Sequence, residues 1–300
     1  MPLANWAGTG KNIYAGGTRG HGLNALAQAS LSQPRWSDVR QFIAPMFDEI
    51  LSHVAATHHL SERSLRSVVL LHLPQFSFER LNNKLFLYNE VENIAQWIKQ
   101  KQCGFENWVT RREIEPFHAG NFRTALVSEQ TAQDLHTRFH YLHSAHAGES
   151  IGIYHQSDSV PTALVTISAM NVTVLQQYVP KGDIENARLL SRMFAFEWAP
   201  RNSISYLLGQ VTRWMRQHQP SVHTFLTFVN PNVEFTGSSY RASNWELVGN
   251  YPTQYRYFDG KYISGRMFYE LRQNALSSVQ VSSAEYDLKP LEVWAYRIRK

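Results

Sequence analysis

The segment from Leu189 to Gly249 constrains the fold more than any other part of the chain, because apolar strand-like runs flank an amphipathic helix there. Leu189 to Trp198 carries apolar residues on both alternating faces, which predicts a strand buried on both sides. Pro200 ends this strand, and apolar residues then recur at helical spacing from Ile204 to Met215. The segment is therefore predicted to form a strand, a loop, a helix and a second strand.

The loop before the predicted helix, Ala199 to Ser203, is typical of an anion site. A helix entered from a tight loop leaves its first N–H groups unpaired and presents the positive end of its dipole. We expect Asn202 or Ser203 to be the N-cap. The N–H groups from Arg201 to Ser205, helped by the Arg201 guanidinium, are then expected to hold a phosphate or pyrophosphate. An ordinary capped helix is the alternative interpretation.

Composition excludes several classes of protein. A chain of 300 residues with 43% hydrophobic content can bury one large core or two ordinary ones. The single cysteine, Cys103, excludes an intramolecular disulfide and a cysteine-based zinc cluster, and it fits a reducing compartment. No apolar run approaches the roughly 20 residues that span a bilayer, and the first residues lack the apolar centre of a signal peptide. We therefore expect a cytoplasmic protein without a membrane partner.

The net charge of +5 is compatible with a nucleic-acid partner but does not indicate which face would bind it.

Residues 1–110 are predicted to form a mainly helical region of unknown role, and residues 111–300 a second domain. The elements expected in the first region are a glycine-rich arm at Trp6 to Gly22, a helix at Arg35 to Thr57 that kinks or breaks at Pro45, strands at Ser67 to Leu73 and Lys84 to Tyr88, and a helix at Glu90 to Gln102.

The second region alternates between shorter elements, and a mixed α/β sheet with helices on both faces is the economical arrangement. Besides the segment described first, the predicted elements are a strand at Glu113 to Phe117, a helix at Glu129 to Tyr141, a hairpin of Ser150 to His155 with Val160 to Ser168, a strand at Thr224 to Val229, a short helix near Tyr240, and strands at Glu246 to Val248 and Tyr255 to Phe258.

This order of elements resembles the GNAT acyltransferase fold, a mixed and mostly antiparallel sheet that binds an acyl coenzyme A where two central strands splay apart. From Glu113 to Arg272 the chain is also similar to the Mom-like family, phage and mobile-element proteins that modify the adenine amino group in DNA. The motifs that carry this similarity are His140-Tyr141, Leu190-Ser191-Arg192, Pro200-Arg201-Asn202 with Ser205, and Gly237-x-x-Tyr240-x-Ala242-x-Asn244-Trp245.

The resemblance implies an acyl-CoA-dependent N-acyltransferase that uses acetyl-CoA or another acyl-CoA and no metal. Tyr240 would then protonate the departing thiolate, since a tyrosine hydroxyl with an ordinary pKa near 10 is an acid at neutral pH. Glu234, or His140 through a water, would accept the proton of the amine, and Asn230 also falls in the catalytic group. The residues implied to bind the cofactor are Arg192, Arg201, Asn202, Ser203 and Ser205.

Each of these residues has a simpler interpretation: a core tyrosine, a structural histidine or a solvated carboxylate. Mom-like proteins tend to carry an acidic segment and Gly-His-x-Gly where this chain has Asn230-Pro231-Asn232 and Glu234-Phe235-Thr236-Gly237. The acceptor is therefore either an amino group of a nucleic-acid base or a small-molecule amine. A non-catalytic nucleic-acid-binding module is a third hypothesis. Its base-stacking surface would come from Trp198, Trp245, Tyr251, Tyr255, Tyr257 and Tyr262 with Arg241, Arg256 and Arg266.

Overall fold

The computed structural model describes residues 33–109, 116–156, 158–169, 171–253, 256–258, 261–263 and 282–298. The predicted arm at Trp6 to Gly22 lies outside these residues, and so do Tyr255 and Arg266 of the predicted stacking surface. Of the predicted strand at Glu113 to Phe117, only the last two residues are described, and they are not in a strand. Within the described ranges, every helix is too short or too polar to cross a lipid bilayer.

The first part of the described chain is helical. Its long first helix buries one apolar stripe and continues through Pro45, so the predicted break at this residue is wrong. Ser61 and Asn83 cap the two next longest helices, each side-chain oxygen accepting a hydrogen bond from an N–H group of the first turn. The helices of this region are α1 (Trp36–Thr57), α2 (Glu62–His72), α3 (Phe78–Leu81), α4 (Lys84–Gln102) and α5 (Glu106–Val109).

Two strands predicted in this region are wrong, because Ser67 to Leu73 belongs mostly to α2 and Lys84 to Tyr88 begins α4. The first error has a physical cause. Four consecutive apolar residues of α2, from Val68 to Leu71, are all buried, so this helix has no polar stripe along that stretch. A short continuous apolar run cannot be told from a buried strand by its periodicity. The cap at Asn83 is the signal that identifies the second segment as a helix start.

The rest of the chain builds a seven-stranded mixed sheet in the order β1-β2-β3-β4-β5-β10-β6 and a small sheet in the order β8-β7-β9. The hairpin of β2 and β3 is confirmed. The strands are β1 (Phe122–Leu126), β2 (Glu149–His155), β3 (Ala163–Ser168), β4 (Ala187–Ala195), β5 (Thr224–Val229), β6 (Glu246–Tyr251), β7 (Arg256–Phe258), β8 (Lys261–Ile263), β9 (Ser282–Ser283) and β10 (Leu291–Arg297).

Helices cover both faces of the large sheet, and the predicted fold class is confirmed. The helices that follow β1 are α6 (Glu129–Arg138), α7 (Val172–Leu175), α8 (Ser203–His218) and α9 (Ser238–Ala242). On one face, Leu207 and Val211 of α8 pack with Val165 of the sheet. On the other face, Leu135 of α6 packs with Leu164. Since Leu164 and Val165 are neighbours in β3, the alternation of a strand assigns α8 and α6 to opposite faces.

A β-bulge interrupts the pairing of β3 with β4. Thr166 faces Arg192, and the next residue, Ile167, faces Leu190, so that Ser191 is the extra residue of β4. A bulge bends its strand and redirects the side chains beside it. Because of this shift, Leu190 and Met193 both pack in the apolar cluster on the α8 face.

The helical region and the sheet region share one apolar core. The cluster built by α1, α2 and α4 also contains Val233, which precedes α9, and Tyr286, which precedes β10. The Tyr286 hydroxyl donates to the carbonyl of Phe76 at 2.8 Å, and the N–H of Glu285 donates to the carbonyl of Pro74 at 2.7 Å. The helices thus pack directly on the loops that follow β5 and precede β10.

Candidate active site

The two central strands β4 and β5 are the one parallel pair among the described strands of the large sheet. Their pairing covers three residues and ends at Leu189 and Leu226, although β4 continues to Ala195. Just beyond this point the Thr227 hydroxyl donates to the carbonyl of Leu190 at 3.1 Å. A side chain therefore replaces the backbone ladder where the strands part, as the GNAT resemblance implies.

Tyr240 points its hydroxyl at this parting point. The hydroxyl lies 3.3 Å from Thr227 Oγ1 and 3.9 Å from Met193 Sδ. Because Thr227 donates its single proton to Leu190, Tyr240 is the donor in their hydrogen bond. Burial raises the pKa of Tyr240 to about 12, and the bond to Thr227 lowers it by less than burial raises it. The hydroxyl is therefore protonated at neutral pH.

The turn that delivers Tyr240 depends on Gly237. This residue has φ +65°, in the left-handed region that favours glycine. A Cβ added here would lie 2.6 Å from the Trp294 ring, closer than real side chains approach. Tyr240 in turn packs against Trp245 with ring centroids 5.2 Å apart, and α9 packs against α8. The glycine thus lets α9 lie flat on the sheet and fixes the tyrosine ring.

The start of α8 has an exposed Arg201 and Asn202 and a buried Ser203. Asn202 is the N-cap, as predicted, in the left-handed conformation with φ 77°, and makes no side-chain cap hydrogen bond. The Ser203 hydroxyl is turned back to the carbonyl of Pro200 at 2.7 Å. The N–H of Ser203 donates to the same carbonyl at 3.1 Å, and the N–H of Tyr206 donates to the carbonyl of Asn202 at 2.9 Å, so the predicted anion site depends on the N–H groups between them. Ser205 is half-buried in the first turn.

Arg192 does not lie with this loop. Its guanidinium donates to the carbonyl of Ser144 at 2.9 Å, to Ser144 Oγ at 3.1 Å and to the carbonyl of Ser191 at 2.7 Å. Ser144 belongs to the loop after α6, so Arg192 lies on the face of the sheet opposite to α8. These donors hold a loop, and the predicted role of Arg192 in binding the cofactor together with Arg201 stays a prediction.

His140 is buried and neutral. Burial, with a further contribution from the charge of Arg192, lowers the pKa of His140 well below its usual value. The N–H of Leu142 donates to His140 Nδ1 at 3.2 Å. A neutral imidazole that accepts on Nδ1 carries its proton on Nε2, so neither nitrogen is free to accept another. In this geometry His140 makes a structural contact, and its predicted role as the base through a water stays a prediction.

Asn230 and Glu234 also make structural contacts. Asn230 Oδ1 accepts from the backbone N–H and the side-chain amide of Asn232, at 3.0 and 3.1 Å. Glu234 has φ 67°, and its carboxylate pairs with Arg40 at 3.1 Å and Arg66 at 3.9 Å. The Asn230 side chain therefore stabilises its own turn, and the Glu234 carboxylate holds the same loop against α1 and α2. Their catalytic roles stay predictions from the sequence.

The predicted stacking surface is only partly buried: Trp245 is buried, Trp198 and Tyr251 are half-buried, and Arg241 is exposed. Trp245 is buried in the cluster of α8 and α9. Trp198 stacks on Phe196 with ring centroids 5.0 Å apart and donates its indole N–H to the carbonyl of Trp108 at 3.2 Å. Both rings therefore take part in packing within the protein, and base stacking on this surface stays a prediction.

A polar network on the α6 face was missed by sequence reasoning. His136 Nε2 lies 2.8 Å from Thr166 Oγ1, which lies 2.8 Å from Ser150 Oγ. Nearby, Ser168 Oγ lies 2.8 Å from Ser191 Oγ. The signal was present in the sequence, because hydroxyl residues at alternate positions of an otherwise apolar strand line one face.

The family model of the Mom protein family matches residues 121–298, which is more than half of the chain. The chain belongs to the Mom protein family. The stretch matched to the Mom family begins immediately before β1 and ends immediately after β10, so it includes the whole large sheet and leaves α1 to α5 outside. No curated protein matches the chain.

Several solved acetyltransferase structures are similar to this Mom family protein. An N-acetyltransferase from Staphylococcus aureus Mu50 has 12% identity and a TM-score of 0.34, over 59% of this chain and 97% of that one. Ribosomal-protein-S5-alanine acetyltransferase from Vibrio fischeri has 10% identity and a TM-score of 0.35, over 61% and 96%. Aminoglycoside N(6')acetyltransferase from Legionella pneumophila has 10% identity and a TM-score of 0.32, over 59% and 92%.

Proposed function

We propose that the protein is an acyl-CoA-dependent N-acyltransferase of the GNAT type. The observation that carries this proposal is the Tyr240 hydroxyl, which is protonated and lies where β4 and β5 part. Its helix, α9, packs against α8, whose N-cap residue Asn202 makes no side-chain cap hydrogen bond. An acid and an anion site on neighbouring helices suit a thioester carried by a pyrophosphate-containing molecule.

In this proposal the amides of the first turn of α8 hold the pyrophosphate, and the Arg201 guanidinium adds a charged donor. Asn202 contributes from its left-handed N-cap position, where its side chain makes no cap hydrogen bond. Ser205 supplies a hydroxyl in the same turn. Acetyl-CoA or another acyl-CoA would bring the activated thioester carbonyl.

Tyr240 donates its proton to the sulfur as the thioester bond breaks. Thr227 keeps the hydroxyl in place by accepting from it, while Thr227 itself is fixed on Leu190. The raised pKa of Tyr240, about 12, means that the proton is present throughout the neutral range. General acid catalysis of this kind contributes roughly 10²- to 10⁴-fold in rate.

The proposed acceptor is an amino group of a nucleic-acid base, as Mom-like proteins modify adenine in DNA and this chain belongs to the Mom family. A small-molecule amine is the second candidate. It is favoured by the loop from Asn230 to Gly237, where this chain lacks the acidic segment and the histidine that Mom-like proteins tend to carry. A non-catalytic nucleic-acid-binding module is the third candidate, and it predicts DNA binding without acetyl-CoA binding.

Titration of the full-length protein with acetyl-CoA by calorimetry tests the cofactor site. We expect wild type to bind, and Arg201→Ala to bind about tenfold more weakly, since one charge-assisted contact amounts to about 1.4 kcal/mol. Arg213→Ala is the matched control, because Arg213 is exposed on the same helix about 15 Å further along by the helical rise. No binding by wild type, or equal binding by Arg201→Ala, would refute the assignment.

Salt dependence of DNA binding separates the acceptors. A protein that neutralises several phosphates loses affinity steeply with salt, whereas an enzyme for a small amine shows almost no DNA binding. We expect an adenine-containing DNA duplex to bind, with an affinity that falls at least tenfold between 50 and 200 mM salt. Absence of DNA binding, together with thiol release from acetyl-CoA in the presence of a small amine, would favour the second candidate.

A further inference from the structure

The helices that precede the stretch matched to the Mom family pack against the loop that leads to the candidate acid. This loop, Asn230 to Gly237, joins β5 to α9, and we call it the acid loop because α9 carries Tyr240. Val233 of the acid loop is 1% exposed and lies in the apolar cluster of α1, α2 and α4. Phe235 packs against this cluster and also against the cluster that contains Tyr240. The acid loop is therefore held between the two cores.

Arg40 in α1 contacts the acid loop at two points. Its Nη1 donates to the carbonyl of Asn232 at 3.3 Å, and its Nη2 lies 3.1 Å from Glu234 Oε1. The other carboxylate oxygen of Glu234 lies 3.9 Å from Nη1 of Arg66 in α2, and Arg66 is in turn paired with Asp48 at 2.9 Å. The side chains of Arg40 and Glu234 are 27% and 40% exposed, so water screens this pair only in part. One guanidinium therefore holds both the backbone and a side chain of the acid loop.

The backbone of the acid loop needs such contacts. Glu234 has φ 67° and Gly237 has φ 65°, both in the left-handed region. Glycine adopts this conformation freely, whereas a glutamate persists in it only where its surroundings hold it there. These two residues set the direction in which the chain enters α9, and the carbonyl of Gly237 accepts the N–H of Tyr240 at 3.1 Å. The contacts that hold Glu234 therefore bear on the position of Tyr240.

The first half of the acid loop has a separate anchor in the sheet region. The side-chain amide of Asn232 donates to the carbonyl of Lys289 at 2.8 Å, and Asn232 Oδ1 accepts the N–H of Lys289 at 3.0 Å. Lys289 lies just before β10. Arg40 binds beside this anchor and also reaches Glu234, in the half of the loop that leads to α9. Loss of Arg40 is therefore expected to loosen the second half of the acid loop and to leave the first half in place.

Small displacements of Tyr240 matter, because its hydroxyl lies 3.3 Å from Thr227 Oγ1, already a long distance for this kind of hydrogen bond. A misplacement of about 1 Å, caused by a change far from the reacting atoms, can cost roughly 10²-fold in rate. We propose that the helical region positions the acid: Arg40, through its contacts with the acid loop, holds Tyr240 at the point where β4 and β5 part. Arg40 is thus a positioning residue, and its role rests on the acyltransferase function proposed above.

The test measures release of free coenzyme A thiol from acetyl-CoA by the full-length protein, with adenine-containing DNA or spermidine as the acceptor. We expect Arg40→Ala to lower kcat roughly tenfold and to leave the KM for acetyl-CoA unchanged, because Arg40 acts on the acid loop. In the Tyr240→Phe background the same substitution should lower kcat by less than about twofold, since the acid that it positions is absent. Arg40→Lys keeps a positive charge beside Glu234 and is expected to stay within about threefold of the wild-type kcat.

Controls separate positioning from a general loss of stability. Lys84→Ala removes another ion pair of the helical region, at 2.9 Å from Glu49, and is expected to leave kcat unchanged. Arg40→Met keeps the apolar stem of the arginine and is expected to show the same loss of kcat as Arg40→Ala, should the alanine variant fail to fold. An Arg40 variant that is as active as wild type, or that loses the same factor in kcat with and without the Tyr240 hydroxyl, would overturn the positioning role alone. A wild type that releases no thiol with either acceptor would refute the proposed function and the positioning role with it.

Discussion

Replacing Tyr240 by phenylalanine separates the chemistry of this residue from its packing. The substitution removes one oxygen and leaves the ring, which packs against Trp245 and Trp294 with centroids 5.2 and 6.3 Å away. The hydrogen bond of 3.3 Å to Thr227 is lost, and so is the 3.9 Å contact with Met193 Sδ. All other contacts of the ring remain possible.

The effect on stability should be small. The Thr227 hydroxyl keeps its bond to the carbonyl of Leu190, so no buried donor is left without a partner. We expect the free energy of unfolding at pH 7 to fall by about 0.5–1.5 kcal/mol, the net contribution of one hydrogen bond. The effect on the reaction should be much larger. Loss of a general acid lowers kcat roughly 10²- to 10⁴-fold, which corresponds to about 3–5 kcal/mol of activation free energy.

Alkaline pH gives a second readout of the same group. The folded-state pKa of Tyr240 is raised to about 12, above the ordinary value of 10, so the folded chain holds this proton more tightly than the unfolded chain. Its contribution to stability is fully present below pH 10 and is lost as the pH rises through 12. The loss amounts to about 2–3 kcal/mol. Tyr240→Phe has no hydroxyl to titrate, so the free energy of unfolding of wild type is expected to fall relative to that of the variant as the pH rises from 10 to 12.

The assays are thiol release from acetyl-CoA and urea unfolding of the same preparations at pH 7 and pH 11. Tyr178→Phe is the matched control, because it removes a hydroxyl that donates to the carbonyl of Asn250 at 2.8 Å, outside the candidate site. This control should lose a similar amount of stability and keep its kcat. A kcat of Tyr240→Phe within threefold of wild type would show that the hydroxyl is not the acid.

Two further substitution and pH experiments address the fold. Gly237→Ala should destabilise the protein by about 1–3 kcal/mol in urea unfolding, because the added Cβ meets the Trp294 ring at a left-handed backbone position. The control is Gly209→Ala on α8, where a Cβ meets no atom within 4 Å, and this substitution should be neutral or stabilising. Equal effects of the two substitutions on the free energy of unfolding would refute the clash. The pKa values of His72 and His136 are lowered by burial to about 4, so the unfolded chain takes up protons first on acidification. Stability should therefore fall as the pH drops from about 6.5 towards 4, by about 2–3 kcal/mol for each ring, and a Tm that is constant from pH 7 to pH 5 would contradict this.

Much of the sheet could be predicted because its signals are local. β5 has the predicted bounds of Thr224 to Val229, and α8 begins at Ser203, the last residue of the predicted loop. The strand before the loop begins two residues earlier and ends three residues earlier than predicted, since Phe196 to Trp198 already turn into the aromatic cluster under α6. Apolar periodicity identifies elements well and their ends less well.

Several features of the candidate site could not be predicted, because they depend on contacts between distant residues. Nothing near Arg192 in sequence shows that the bulge at Ser191 turns its guanidinium towards Ser144. The pairing of Glu234 with Arg40 likewise joins residues almost 200 positions apart. Motif matching nominated Tyr240, whereas its partner Thr227 belongs to no motif and is identified only by the geometry of the parted strands.

The core shared by the helical region and the sheet bears on how the protein unfolds. Two domains with separate cores would melt independently, whereas Val233 and Tyr286 are buried among the helices that precede residue 110. Losing those helices would expose both side chains and break the bonds to Phe76 and Pro74. We therefore expect a single calorimetric transition, with equal calorimetric and van't Hoff enthalpies. The helices outside the Mom family match would then belong to the same cooperative unit as the candidate active site.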